Sequence, residues 1–241
     1  MKLVVTENFD ESSRLVADMY KEVIRDKEDA LIGCATGGTP VGIYRCLVED
    51  YQKGEVDFAK VKTVNLDEYV GLGKEHDQSF AYFMDQHFFS KTNIKEENIF
   101  LLDGDKPAES ELERFNEFLQ NNTVDILMLG IGNNGHIGFN EPDTCFTASA
   151  HKVELAEDTI KANSRFFKGA DEVPGSAMTM GMYGITKAKK VVLIATGGAK
   201  AEAIKKLLAD DKVDPMLPVS IMKLCKDATV VIDRELYELT K

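Results

Sequence analysis

Residues 125–142 read DILMLGIGNNGHIGFNEP, an apolar run that leads directly into a cluster of glycines. A short run that is apolar throughout predicts a strand buried on both faces of a sheet. The four glycines between positions 130 and 138 indicate unusual backbone angles or the close approach of a ligand. His136 stands inside this loop, and Asn134 and Glu141 are placed to orient its ring. We therefore predict a ligand loop whose histidine transfers protons.

Short apolar runs alternate with helical patterns on both sides of this stretch. Strands are predicted at 3–5, 30–35, 61–66, 99–102, 125–131, 191–195 and 229–232. Helices are predicted at 15–24, from 41 onward, and at 80–89, 112–119 and 199–208. Apolar strands separated by helices are typical of a parallel sheet that is covered on both faces and joined by right-handed crossovers. We therefore predict an α/β fold, a three-layer Rossmann-like domain with a mostly parallel central sheet over residues 1–241.

One segment, 157–175, is more polar and less periodic than its surroundings. It fits a mobile lid over a site, and it also fits a surface helix with a long loop. Periodicity alone slightly favours the second interpretation. No linker or low-complexity tract divides the chain, so we predict a single domain.

The composition limits the classes of partner. A formal net charge of −12 repels phosphate backbones, so nucleic acid is not an expected partner. The N-terminal residues do not resemble a signal peptide, and no apolar run reaches membrane-spanning length, so we expect a cytoplasmic protein. The four cysteines lack zinc-site spacing, and neither an HxxxH motif nor an acidic cage is present. We therefore expect reduced thiols, no metal and no cofactor.

The tetrapeptide Ala-Thr-Gly-Gly occurs twice, at 35–38 and at 195–198, each time between a predicted strand and a predicted helix. Glycines allow a tight turn whose N–H groups reach an anion, and the helix that follows adds the positive end of its dipole. Thr39 follows the first copy and Lys200 the second. Glycines that merely turn the chain are the alternative, but two such turns favour a bound phosphate. Neither turn is a Walker A loop, and neither reproduces GxGxxG with a Rossmann acid downstream, so we expect a phosphorylated small molecule rather than a nucleotide.

Two adjacent carboxylates, Asp67 and Glu68, close the predicted strand at 61–66. They lie at the edge where ligands bind in α/β sheets. Neighbouring residues in a strand point to opposite faces, so at most one of the two faces a substrate. A helix cap or a solvated turn explains the pair at least as well from its position alone.

Several of these segments together resemble the glucosamine-6-phosphate deaminase family over nearly the whole chain. The matching segments are ATGGTP at 35–40, NLDEYVG at 65–71, GIGNNGHIGFNEP at 130–142, NSRFF at 163–167 and GGAK at 197–200. Their combination and order are specific, whereas any one of them alone is not.

This resemblance implies a deaminating isomerisation of glucosamine 6-phosphate and water to fructose 6-phosphate and ammonia, which ends in imine hydrolysis and hence suggests a hydrolase. It implies that Asp67 takes the proton from C2 of the sugar and returns it at C1. It also implies that His136, supported by Asn134 and Glu141, assists the opening of the sugar ring. The phosphate would be held by Gly37, Gly38, Thr39, Arg165 and Lys200.

The chain departs from the family's pattern in two respects. Some members have aspartate at the position of Asn134, so Glu141 is the only carboxylate of the ring-opening group here. Allosteric members extend further at the C-terminus and carry an Arg-x-Lys pair that binds an effector phosphate, and the matching segment here is HKV at 151–153. We therefore expect a monomer or a small homo-oligomer without activation by N-acetylglucosamine 6-phosphate.

Two other functions fit part of the sequence. A 6-phosphogluconolactonase shares the phosphate turns and a histidine in a glycine loop, but lactone hydrolysis needs no C2 base such as Asp67. A non-catalytic sugar-phosphate-sensing domain of a transcription regulator would bring a basic helix-turn-helix segment, which the sequence lacks. The deaminase is therefore the favoured function, with an amino-sugar phosphate as its small-molecule partner.

Overall fold

The computed structural model describes residues 1–155, 160, 164, 167 and 172–241. The strands in this part are β1 (Lys2–Thr6), β2 (Leu31–Cys34), β3 (Lys62–Asn65), β4 (Asp67–Tyr69), β5 (Ile99–Phe100), β6 (Ile126–Leu129), β7 (His151–Glu154), β8 (Ser176–Thr179), β9 (Val191–Ala195) and β10 (Ala228–Asp233). The α-helices are α1 (Phe9–Asp26), α2 (Pro40–Gln52), α3 (Phe80–His87), α4 (Ala108–Asn121), α5 (Met182–Lys187), α6 (Ala201–Ala209) and α7 (Arg234–Thr240). Short 3-10 helices span Phe89–Lys91, Glu96–Asn98, Gly198–Lys200 and Pro218–Leu224.

The central sheet has the spatial order β1-β10-β9-β6-β2-β3-β5, and every neighbouring pair is parallel. The strands β2, β6, β9 and β10 are buried along their whole length. Consecutive residues of a strand point to opposite faces, so burial of all of them means that both faces of the sheet are covered. The predicted α/β fold with a parallel central sheet is therefore confirmed.

Buried tyrosines hold β2 and the turn after it in place. Tyr20 of α1 donates its hydroxyl to the carbonyl of Gly33 at 2.6 Å, and Tyr44 of α2 donates to the carbonyl of Ala35 at 2.7 Å. Tyr44 also stacks on Phe88, with ring centroids 5.2 Å apart. Because a buried hydroxyl is costly without a partner, these bonds fix how the two helices sit on the end of β2.

The strand order reverses between β2 and β6. From β2 the chain proceeds to β3 and β5 on one side, and it then returns to β6 and continues to β9 and β10 on the other. Such a reversal opens a crevice outside the carboxyl ends of the strands, and ligands bind there in open α/β sheets. The first Ala-Thr-Gly-Gly turn follows β2 and the glycine loop follows β6, so both lie at this crevice.

A second, antiparallel sheet has the order β4-β8-β7 and is absent from the sequence predictions. One residue, Leu66, separates β3 from β4, and Asp67 of β4 lies opposite Thr179 of β8. The join is closed by Met180, whose N–H donates to the carbonyl of Leu66 at 2.7 Å. Aspartate and glutamate are disfavoured in strands, which is why the short β4 gives no strand signal. This small sheet links the end of β3 to the residues that follow β6.

Two further expectations concern the lid and the membrane. Most of the segment 157–175, predicted as a lid or a surface helix, lies outside the described residues, so both interpretations remain predictions. In the part of the chain that the structure describes, no helix is both long and apolar enough to cross a bilayer.

Candidate active site

The loop after β6 folds tightly around the ring of His136. The N–H of Gly132 donates to the carbonyl of His136 at 2.9 Å, and the N–H of Gly135 donates to the carbonyl of Gly132 at 3.0 Å. A Cβ atom added to Gly132 would stand 2.2 Å from the nearest atom of the imidazole, and Gly135 has a φ of +90°. The ring therefore packs against a backbone that only glycine can provide.

His136, Glu141 and Asn134 form one contact group. The imidazole Nδ1 of His136 lies 3.3 Å from Oε1 of Glu141. Asn134 donates from Nδ2 to Oε2 of Glu141 at 2.7 Å, and its Oδ1 accepts the backbone N–H of His136 at 3.2 Å. The structure thus brings together the three residues grouped by sequence. The His136 side chain keeps 25% of its surface exposed, so its ring reaches the crevice.

The same loop is attached to β8 and to the residue after it by two hydrogen bonds. The N–H of Phe139 donates to Oγ1 of Thr179 at 3.1 Å. Asn140 donates from Nδ2 to the carbonyls of Ile137, at 3.0 Å, and of Met180, at 2.9 Å. Because β8 also pairs with β4, the loop is held in a fixed position relative to the strand that carries Asp67.

Asp67 faces this loop from β4. It is 8% exposed, and a Cβ atom added to Gly138 would stand 3.3 Å from its Oδ2. Burial, followed by the negative charge of Glu68, raises the pKa of Asp67 to about 8. Among the described residues, none donates a hydrogen bond to this carboxylate. Asp67 therefore lies against the glycine loop, and its exchange of a proton with a ligand stays a prediction.

Glu68 has a different role from its neighbour. Its carboxylate accepts the N–H groups of Tyr69, at 2.9 Å, and of Phe80 and Ala81, both at 3.0 Å, which caps the first turn of α3. Burial raises the pKa of Glu68 to about 7. The three N–H donors act in the opposite direction and lower this pKa, but burial is the larger effect. The sequence left open whether the pair caps a helix or serves chemistry. The structure assigns the cap to Glu68 and leaves Asp67 for the crevice.

The two Ala-Thr-Gly-Gly turns flank the glycine loop, because β6 lies between β2 and β9. Gly37 has a φ of +98° and Gly197 a φ of +83°, so both turns use backbone angles that favour glycine. Helix α2 starts at Pro40, and the Thr39 side chain makes no capping bond to it. A Cβ atom on Gly37 or Gly38 would meet no described residue within 4 Å. The first turn is thus open and ends at an uncapped helix N-terminus.

Of the two remaining predicted phosphate ligands, Lys200 and Arg165, only Lys200 lies among the described residues. Lys200 ends the 3-10 helix Gly198–Lys200, directly after the second turn, and its N–H donates to the carbonyl of Gly197 at 3.2 Å. Arg165 lies outside the described residues. Its place at the site rests on the resemblance alone.

Sequence reasoning missed two residues of the site, Asn140 and Thr179. Asn140 lies within the quoted loop, but no spacing rule singles it out. Thr179 is 39 residues beyond Asn140, in a strand of four residues that the sequence analysis did not predict. Only the pairing of β8 with β4 brings it to the site, and that pairing has no local signal in the sequence.

Comparison with known proteins shows the family of the chain. The profile of a family described as glucosamine-6-phosphate isomerases/6-phosphogluconolactonase matches residues 6–231. The chain therefore belongs to this family. It is 45% identical to a glucosamine-6-phosphate deaminase of Thermoanaerobacter sp. (strain X514), over 99% of this chain and 95% of that one. It is 47% identical to the glucosamine-6-phosphate deaminase of Clostridium acetobutylicum, over 97% and 98% respectively.

Solved structures separate the two branches of the family. A structure described as a monomeric glucosamine-6-phosphate deaminase superposes with a TM-score of 0.96 at 40% identity, over 99% of this chain and 100% of that one. The 6-phosphogluconolactonase from Trypanosoma cruzi gives a TM-score of 0.79 at 19% identity, over 98% and 96%, and shares the fold alone. The resemblance to the glucosamine-6-phosphate deaminases is thus confirmed, and the lactonases are distant structural relatives.

Proposed function

We propose that this chain converts glucosamine 6-phosphate and water to fructose 6-phosphate and ammonia. The observation that carries the proposal is that Asp67 lies beside Gly138 of the same glycine loop that holds the His136 group. Similarity to glucosamine-6-phosphate deaminases along the whole chain supports the same activity. A lactonase would have no use for a buried carboxylate at the position of Asp67.

The first step is the opening of the sugar ring by His136. A neutral imidazole takes the proton of the anomeric hydroxyl, and a proton is delivered to the ring oxygen as the C1–O5 bond breaks. Glu141, at 3.3 Å from Nδ1, stabilises the imidazolium that forms in between. Asn134 holds Glu141 by a hydrogen bond and contributes no charge, so a single carboxylate balances the imidazolium.

The second step moves a proton from C2 to C1 through Asp67. The ionised carboxylate takes the C2 proton while the C1 carbonyl oxygen gains a proton that the substrate's ammonium group releases, which gives an enolamine. Return of the proton from Asp67 to C1 then leaves a protonated imine at C2. Water then hydrolyses the imine to the ketose and ammonia. A carboxyl group whose pKa is raised to about 8 is a stronger base than an ordinary carboxylate, and it holds the proton between the two transfers.

The phosphate group of the substrate positions C2 over Asp67. We place it at the turn formed by Gly37, Gly38 and Thr39, with Arg165 and Lys200 adding positive charge. The open glycine turn and the N-terminus of α2 support this placement. A phosphate held at a fixed distance from the reacting carbons converts binding energy into orientation.

We further propose that the protein is a cytoplasmic monomer and that its deamination is a hydrolysis. Water is consumed when the imine is cleaved, which is the basis for the hydrolase class. A monomer agrees with the structure described as a monomeric deaminase, which superposes on nearly all of the chain.

The test of this function is a comparison of two reactions on the purified protein. Ammonia release from glucosamine 6-phosphate is measured beside the hydrolysis of 6-phosphogluconolactone. We expect ammonia release and no lactone hydrolysis. Lactone hydrolysis without ammonia release would support the lactonase, and binding of the sugar phosphate without either reaction would support a sensing domain.

A further inference from the structure

We propose that Thr179 is a positioning residue that sets Asp67 in its working orientation relative to the His136 loop. The proposal rests on the role of Asp67 as the C2 base. Thr179 acts through Asp67 and Phe139 and does not touch the substrate.

Thr179 lies where the strand of the base and the loop come together. It is fully buried and stands in register opposite Asp67. Its Oγ1 accepts the N–H of Phe139 at 3.1 Å. A Cβ atom added to Gly138 would stand 2.8 Å from this Oγ1 and 3.3 Å from Oδ2 of Asp67. The hydroxyl and the carboxylate therefore approach the same point of the loop from β8 and β4.

The hydroxyl of Thr179 has one proton left to donate. A threonine hydroxyl donates once and accepts up to twice, and the N–H of Phe139 uses only an accepting site. Asp67 accepts no hydrogen bond from a described residue, so its ionised form has an open acceptor, and its Oδ2 and this hydroxyl both lie next to Gly138. Donation from Thr179 would favour the charged carboxylate and fix its rotamer at the moment when a base is required.

Apolar contacts hold the same elements together without this hydroxyl. Tyr69 of β4 packs on Phe139 of the loop, with ring centroids 5.6 Å apart, and on Phe80 of α3 at 4.8 Å. The bond from Asn140 to the carbonyl of Met180 is independent of Thr179. Replacing the hydroxyl by a methyl group should therefore leave the fold in place and remove only the hydroxyl that accepts the N–H of Phe139 and lies near Asp67.

The experiment compares Thr179→Val, which keeps the shape of the side chain, with Thr179→Ser, which keeps the hydroxyl. The matched control is Thr63→Val, because Thr63 is equally buried and its Oγ1 has no hydrogen-bond partner. Wild type and Asp67→Asn are measured in the same series. Each protein is assayed for ammonia release from glucosamine 6-phosphate carrying hydrogen or deuterium at C2, and its melting temperature is recorded.

We expect kcat of Thr179→Val to fall about 10- to 100-fold with little change in KM, as a misplaced catalytic group predicts. The deuterium effect on kcat should rise, because removal of the C2 proton becomes the slow step. Thr179→Ser should recover most of the activity, and Thr63→Val should behave as wild type. If Thr179→Val does not fold, Thr179→Ala provides the same comparison.

The proposal is overturned by either of two results. One is a kcat for Thr179→Val within about twofold of wild type. The other is a lower kcat with an unchanged deuterium effect and no recovery in Thr179→Ser, which would mean a purely structural role. If the wild type releases no ammonia, both the proposed function and the role of Thr179 are overturned. If the wild type is active and Thr179→Val is unaffected, only the role of Thr179 is overturned.

Discussion

Asp67 and Glu68 are identical in charge and adjacent in sequence, yet they have different surroundings and different roles. The alternation of side chains along β4 turns Asp67 toward Gly138 and Glu68 toward the N-terminus of α3. That at most one of the pair faces the substrate could be predicted from the two-residue period of a strand. Which one does so depends on where α3 begins in space, and that is a tertiary property without a local signal.

The burial of Asp67 should make stability fall as pH rises. Its pKa is raised from an unfolded value near 4 to about 8, so the folded protein holds a proton that the unfolded chain has lost. Stability is therefore complete below about pH 4 and declines up to about pH 8, by at most about 1.4 kcal/mol per pH unit for one proton. In Asp67→Asn this decline should be smaller, which urea unfolding at a series of pH values measures.

The control for this measurement is Asp57→Asn. Hydrogen bonds from the N–H of Ala59 and the side chain of Asn93 lower the pKa of Asp57, so its contribution is present above about pH 4 and is lost only in more acidic solution. Its removal should shift stability without changing the slope between about pH 5 and 8. Equal slopes in wild type and Asp67→Asn would contradict the raised pKa of Asp67.

At the scale of elements, some of the strands that build the site could be predicted from the sequence and others could not. The strands β2, β6, β9 and β10 are apolar along most of their length, and their positions follow from the sequence because burial on both faces leaves an apolar run. The turns that follow β2 and β9 could also be located, since glycines mark them. The sheet β4-β8-β7 could not, because its strands have three or four residues and its pairings join segments far apart in the chain.

The loop after β6 should tolerate no side chain at Gly138. This residue has a φ of +56°, and a Cβ atom would stand 2.8 Å from Oγ1 of Thr179. Gly138→Ala is expected to lower the free energy of unfolding by more than the ~1–2 kcal/mol that a left-handed alanine costs, and to reduce kcat strongly. Urea unfolding and the ammonia assay measure the two effects.

Gly54→Ala is the matched control for Gly138→Ala. Gly54 has a similar φ of +74°, but a Cβ atom there would meet nothing within 4 Å. It lies in the turn after α2, so its substitution should cost ~1–2 kcal/mol of stability and leave kcat unchanged. If both variants lost stability equally and kept full activity, the close packing around Gly138 would not matter for catalysis.

At the scale of the whole molecule, an acidic surface repels an anionic substrate, so binding of the substrate depends on local structure. The net charge is −12, yet we propose that a phosphate binds at the first glycine turn and the N-terminus of α2. Net charge could exclude nucleic acid as an expected partner, but it says little about a single cleft. The location of the cleft follows from the strand order, which sets the switch point between β2 and β6.

The absence of allosteric activation is expected from the residues around β7. A cavity of about 280 Å³ lies between the Glu141 loop and β7, and its lining includes His151, Lys152 and Val153. Lys152 pairs with Glu154 at 3.1 Å, which offsets its charge toward an effector phosphate. Saturation curves for glucosamine 6-phosphate should therefore coincide with and without N-acetylglucosamine 6-phosphate. A clear fall in half-saturation on adding the effector would contradict this expectation.

We propose that Asp67 removes the C2 proton, and that other residues bind the phosphate and open the sugar ring. The most direct test is kcat for ammonia release by Asp67→Asn beside wild type, with binding of fructose 6-phosphate to both proteins as the control. Asparagine keeps the shape of the side chain and cannot accept the proton, so we predict a loss of at least about 100-fold in kcat with binding retained. Turnover close to wild type would contradict the assignment of Asp67 as the base.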